Sequence, residues 1–146
     1  MIPYLDAGFL LTLLLRVQGN LIANGILREL EPPFPVNSLH YLQVESFLMQ
    51  LKLSAEPDLL AATQPELTWK QYLSEGVFQD SQPEWERAFA LARQWNERRQ
   101  FHPMAPLLVL HPALALLAQS THFLSFDPRS RAVAQAAGLK LLPLRL

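Results

Sequence analysis

His122-Phe123-Leu124-Ser125-Phe126-Asp127-Pro128-Arg129 is the stretch on which the fold turns. Its first five residues have the apolar, aromatic character of a buried strand. Asp127-Pro128 then supplies an N-cap and a proline at the first helical position, where its missing N–H costs nothing. The helix is predicted to run to Ala137 and to stop at Gly138, a residue suited to the left-handed turn of a C-terminal cap. Leu139 to Leu142 is apolar again and ends the sheet.

The N-terminus repeats the pattern. Ile2 to Leu5 reads as a strand, and Asp6 leads into Ala7 to Val17, a helix apolar nearly all round and therefore buried. Gln18-Gly19-Asn20 interrupts it before a second helix, Leu21 to Leu30. Glu31-Pro32-Pro33-Phe34-Pro35 ends that helix, and Phe34 to Val36 is a brief strand whose prolines argue for little pairing.

In the middle of the chain, Asn37 or Ser38 caps a helix from Leu39 to Leu53, with Leu42, Phe47, Leu48 and Leu51 as its apolar stripe. A short helix is predicted over Glu56 to Thr63, a helical turn over Thr68 to Leu73, a reset at Gly76 and a strand at Val77-Phe78. Ser81-Gln82-Pro83-Glu84 opens a helix reaching about Arg99. Leu107 to Ala118 is helical, with Pro112 either starting the helix or kinking it. Strand and helix thus alternate at both ends. The expectation is one α/β domain over residues 1–146, with a central, mostly parallel sheet of about four or five strands and helices on both faces in three α/β/α layers.

Composition narrows the chemistry. The absence of cysteine removes disulfides, thiolate metal sites and thiol nucleophiles, and fits a cytoplasmic protein. Twelve Lys and Arg against thirteen Asp and Glu leave a net charge of −1, so no strongly basic nucleic-acid binder is announced. The run from Gly8 to Leu15 is too short to span a bilayer, and Asp6 stands where a signal peptide would carry positive charge. Half of the residues are hydrophobic, which favours a homodimer. There is no nucleophile elbow and no glycine-rich phosphate loop.

Asp6 and Asp127 both follow apolar strands and precede helices. Strand ends of an open parallel sheet border the crevice where ligands bind, and paired carboxylates there suit a hard divalent cation. Both residues equally suit helix capping.

Several segments together resemble the PIN-domain family, in particular the compact VapC-like ribonucleases of toxin–antitoxin pairs. Tyr4-Leu5-Asp6-Ala7-Gly8-Phe9-Leu10 is similar to its opening strand and first metal-binding Asp. Leu39 to Ser46 is similar to its second motif, Leu110-His111-Pro112-Ala113-Leu114-Ala115 to its third, and His122 to Arg129 to its fourth. The resemblance covers most of the chain, in order. It implies a three-layer fold, Mg²⁺ or Mn²⁺ held by three or four acids, RNA as substrate, an antitoxin-like protein partner, and Asp6 and Asp127 as catalytic metal ligands. The metal would lower the pKa of a bound water and stabilise the phosphate under attack.

The sequence departs from the family twice. Gln43 stands where the second motif has its acid, and Leu108 where the third has one. Glu45, two residues beyond Gln43, is about 200° around the helix and needs a register shift or a bulge to turn inward. The resemblance therefore implies a metal-dependent endoribonuclease with a degenerate site, weak or inactive. The alternatives are a working nuclease using Asp6, Asp127 and Glu45, or a non-catalytic module that binds RNA, an antitoxin-like protein or itself. Arg129 and Arg131, close after Asp127, are candidate phosphate contacts, as are Arg98 and Arg99. The alternative for such residues is a solvated helix face. His111 is expected as a hydrogen-bonded, partly buried histidine near a helix start, with a replacement metal ligand as the alternative. His40, His102 and His122 lack metal-ligand spacing, and Trp69, Trp85 and Trp95 are expected in the core or an interface.

Overall fold

The computed structural model describes residues 1–54, 64–97 and 105–145. The helix expected over 56–63, Arg98, Arg99 and His102 lie outside them. In chain order the elements are β1 (Pro3–Leu5), α1 (Ala7–Leu14), α2 (Asn20–Arg28), β2 (Phe34–Val36), α3 (Ser38–Leu53), α4 (Pro65–Ser74), β3 (Phe78–Asp80), α5 (Trp85–Glu97), α6 (Pro106–Leu117), β4 (His122–Leu124), α7 (Pro128–Ala136) and β5 (Lys140–Leu142). The protein is mixed α/β. Among the described residues every strand pairing is parallel, but the five strands form a three-stranded and a two-stranded sheet rather than one hydrogen-bonded sheet. The chain divides into two compact units, Met1–Asp6 with Gln82–Leu146, and Ala7–Ser81.

The first unit holds the sheet β1-β4-β5, with β4 central and Pro3, Tyr4 and Leu5 opposite His122, Phe123 and Leu124. Phe123 and Leu124 are fully buried. The Tyr4 ring stacks on Phe123 at 6.1 Å. The strand expected to Phe126 ends at Leu124, because Ser125 turns the chain: its Oγ accepts the N–H of Asp127 at 3.0 Å. α7 then crosses to β5 and stops where expected, with Gly138 at φ 91°. Helices α5, α6 and α7 pack in succession.

α6 settles the question of Pro112. The helix starts at Pro106 and continues through Pro112. Proline cannot donate to the carbonyl four residues earlier, which here is that of Leu108. The buried Ser130 of α7 serves this carbonyl instead, donating its hydroxyl to Leu108 O at 3.0 Å. A bond between two helices replaces the one the ring removes.

The second unit packs α1 against α2, α3 and α4, with the sheet β2-β3 beside α3 and α4. α1 ends at Leu14, earlier than the apolar run predicts. Asn20 is the reason: its Nδ2 donates to the carbonyls of Thr12, Leu13 and Leu15 at 2.8, 3.2 and 2.8 Å. Those carbonyls would otherwise lack partners at a helix end. β2 does pair, with Phe34 opposite Phe78 and Val36 opposite Asp80, against the expectation drawn from its prolines. α4 is longer than the turn predicted, starting at Pro65 and burying Trp69.

α3 starts one residue before the expected Leu39, and its expected stripe holds at Leu48, with Phe47 and Leu51 half-buried, but not at Leu42. His40, Val44 and Leu48, spaced four apart, are buried, whereas Leu42 is 63% exposed. Asn37 caps the helix by accepting from Leu39 N at 3.0 Å, and the Asn37 N–H donates back to His40 Nδ1 at 3.1 Å. This reciprocal cap turns a histidine inward where hydropathy favours a leucine. Among the described residues no helix is long and apolar enough to cross a membrane.

Candidate functional site

The strand ends of the first unit carry the candidate acids. β1 and β4 are adjacent and parallel, so Asp6 and Asp127 leave the sheet from the same end. The N–H of Asp6 donates to Leu124 O at 3.0 Å, extending the ladder by one residue, and the side chain is buried at 6% exposure. Asp127 follows the Ser125 turn and caps α7. Its Oδ1 accepts from Arg129 N at 2.8 Å and Ser130 N at 3.3 Å.

Both oxygens of Asp127 also engage Arg129, Oδ1 with Nε at 3.2 Å and Oδ2 with a terminal nitrogen at 2.9 Å. Burial alone would push this carboxyl up. The Arg129 hydrogen bonds, the two backbone donors and the guanidinium charge outweigh it and hold the carboxyl below its usual range. The same pairing raises the pKa of Arg129, whose side chain is exposed.

Arg131 is buried at 7% exposure. Its guanidinium donates to three backbone carbonyls: Ser125 at 2.9 Å, Leu142 at 3.1 Å and Pro143 at 2.8 Å. It thus ties the turn after β4 to the chain leaving β5. Burial pushes its pKa down and the Asp6 carboxylate opposes that shift. The sequence offers Arg129 and Arg131 alike as phosphate contacts; in the fold one is an exposed partner of Asp127 and the other an internal clamp.

Leu108 lies in the first turns of α6, half-buried, with its carbonyl on Ser130. Gln43 and Glu45 belong to the second unit, on α3, which runs as unbroken α-helix through both. Gln43 is half-buried and Glu45 exposed. His111 is more buried than expected, with its Nδ1 3.0 Å from the Tyr4 hydroxyl. Burial, Lys140 and the N-terminus lower the pKa of His122. Trp69 is a core residue, while Trp85 lies 6.4 Å from the exposed Phe89 on α5. Among the described residues no three His, Asp or Glu side chains gather as a metal-binding group.

Sequence reasoning passes over Ser130 and gives His40 no role, yet each is buried and uses its polar atom on the backbone. A signal for Ser130 exists: a helix containing Pro112 must leave the carbonyl of residue 108 in need of a donor. Comparison with known proteins finds no family model that matches the chain and no curated protein that matches it.

Proposed function

We propose that residues 1–146 form one PIN-like domain of three α/β/α layers, of the VapC type, whose acidic metal site has been dismantled, so that it cleaves RNA weakly or not at all. The observation that carries this reading is the commitment of both Asp127 oxygens to Arg129 and the N-terminus of α7. In a working site of this kind the carboxylates face a dication and solvent.

The donor set of the first unit does not fit a resident Mg²⁺ or Mn²⁺. Asp6 and Asp127 bring two negative charges, Arg129 and Arg131 bring two positive ones, and the sum is zero. A dication at Asp127 would have to share both oxygens with the Arg129 guanidinium, whose charge opposes it. Leu108 has no side-chain donor for a metal, and Gln43 on α3 carries no charge. Replacing clustered acids removes mutual repulsion, a change that favours stability over catalysis.

What survives in this reading is binding: contact with RNA or with an antitoxin-like protein in the cytoplasm, by a protein that pairs with its own copy. Self-association would use exposed apolar side chains such as Leu21, Ile22, Leu42 and Leu53. Calorimetric titration with Mn²⁺ and an RNA cleavage assay test the proposal together. The expected result is no saturable metal binding in the micromolar range and no cleavage above that of an Asp6→Asn variant. Robust Mn²⁺-dependent cleavage abolished by Asp6→Asn would overturn it. Loss of both metal binding and cleavage in Glu45→Gln would further identify the rearranged nuclease as the correct reading.

A further inference from the structure

We propose that the cleft beside β3 binds an organic cation, a guanidinium or ammonium group on an apolar stem, with Asp80 as its counter-ion. The cleft lies wholly within the Ala7–Ser81 unit and is independent of the strand-end acids discussed above. It measures about 540 Å³ and is lined by Pro33, Tyr41, Leu73, Gly76, Phe78 and Asp80, together with Gln79. That is the size of a small-molecule site and far more than a bare metal ion needs.

Asp80 is the last residue of β3 and is exposed. The Tyr41 hydroxyl donates to its Oδ1 at 2.6 Å, which fixes the carboxylate without neutralising it. Among the described residues no lysine or arginine pairs with Asp80. Glu45, one helical turn beyond Tyr41, adds to the negative field. Burial first, then the hydrogen bond and charge of Asp80 and the charge of Glu45, push the Tyr41 hydroxyl up to about 12, so it stays a neutral donor at any physiological pH. Among the described residues the site therefore presents negative charge with no cation paired to it.

The walls select the kind of cation. Tyr41 meets Trp69 edge-on at 5.6 Å, Trp69 lies 5.4 Å from Phe78, and Tyr72 meets Phe78 edge-on at 5.5 Å. This cluster holds the lining rings in place. The Tyr41 ring beside a carboxylate favours a weakly hydrated organic cation, and Pro33 and Leu73 offer apolar surface to its stem. A dication would find one carboxylate already hydrogen-bonded to tyrosine, a poor exchange for its hydration shell.

Such a cation could be a free small molecule or a side chain of a peptide. Titration of the whole protein with butylguanidinium, and separately with the peptide Gly-Gly-Arg-Gly, followed by amide NMR shifts, tests the proposal. Saturable shifts are expected at Gly76 and Phe78 through Asp80, with a dissociation constant of about 1 mM or tighter for at least one probe. Asp80→Asn should weaken binding about tenfold and Tyr41→Phe about threefold, with unchanged circular dichroism, because the first loses the counter-ion and the second only its positioning. Tighter binding of the peptide would assign the site to a protein partner; equal binding would assign it to a small ligand. Shifts that do not saturate with either probe, or that persist undiminished in Asp80→Asn, would overturn the proposal.

Discussion

Replacing Arg131 with methionine separates a structural clamp from a phosphate contact. The side chain is 7% exposed and donates to the carbonyls of Ser125, Leu142 and Pro143 at 2.9, 3.1 and 2.8 Å. Methionine keeps much of the volume and removes the donors and the charge. The Leu142 carbonyl also accepts from Ser125 N at 3.2 Å, so it is the least affected. The carbonyls of Ser125 and Pro143 lose a charged donor, at about 1–3 kcal/mol each. Buried Asp6 also loses the attraction of the Arg131 guanidinium. The two carbonyls together give about 2–6 kcal/mol, and the middle of that range, about 3–5 kcal/mol, matches the cost of breaking a buried charge interaction by removing one partner. With a urea slope near 2 kcal/mol per molar, the unfolding midpoint should fall by about 1.5–2.5 M. Arg131→Lys should recover only part of this, since an ammonium keeps the charge but lacks the two-nitrogen fork that reaches the three carbonyls. A loss below about 0.5 kcal/mol in Arg131→Met, the range of ordinary surface substitutions, would refute the clamp.

Ser130→Ala should cost about 1–2 kcal/mol by stranding the Leu108 carbonyl, and the cost should shrink by about 1 kcal/mol in a Pro112→Ala background, where a backbone N–H returns; additive losses in the denaturation cycle would contradict the exchange. Asn37→Ala should lower stability by about 1–2 kcal/mol through loss of the α3 cap, measured by thermal melting. Asp127 supplies a pH test. Its folded pKa lies below the ordinary 3.8, so its contribution is present above that value and lost as pH falls through the folded one. The stability gap between wild type and Asp127→Asn should therefore be constant near neutrality and narrow as the pH drops below about 4; a gap that widens there would reverse the sign.

Local chemistry was legible wherever it was strong. Asp127-Pro128 and Gly138 mark both ends of α7 correctly because capping and left-handed geometry depend on neighbours in sequence. The β4–α7–β5 segment and the strand before Asp6 follow for the same reason. Errors arose where a distant or competing group decided the outcome. The early end of α1 is set by Asn20 reaching back to its carbonyls, and the inward turn of His40 at the start of α3 by its reciprocal cap with Asn37. Hydropathy counts apolar atoms and does not register a polar atom whose partner is already in place.

The candidate site divides along the same line. Sequence alone determined that two carboxylates follow two strands and that Gln43 and Leu108 are not acids. Parallel pairing of β1 with β4, which places Asp6 and Asp127 at one end of the sheet, needed the tertiary structure. So did the fates of the two arginines, which sit two residues apart on one helix and look alike as a sequence. Successive helical positions differ by 100°, so residues two apart face 200° from one another. That rotation leaves Arg129 in solvent against Asp127 and carries Arg131 inward to the carbonyls of Ser125, Leu142 and Pro143.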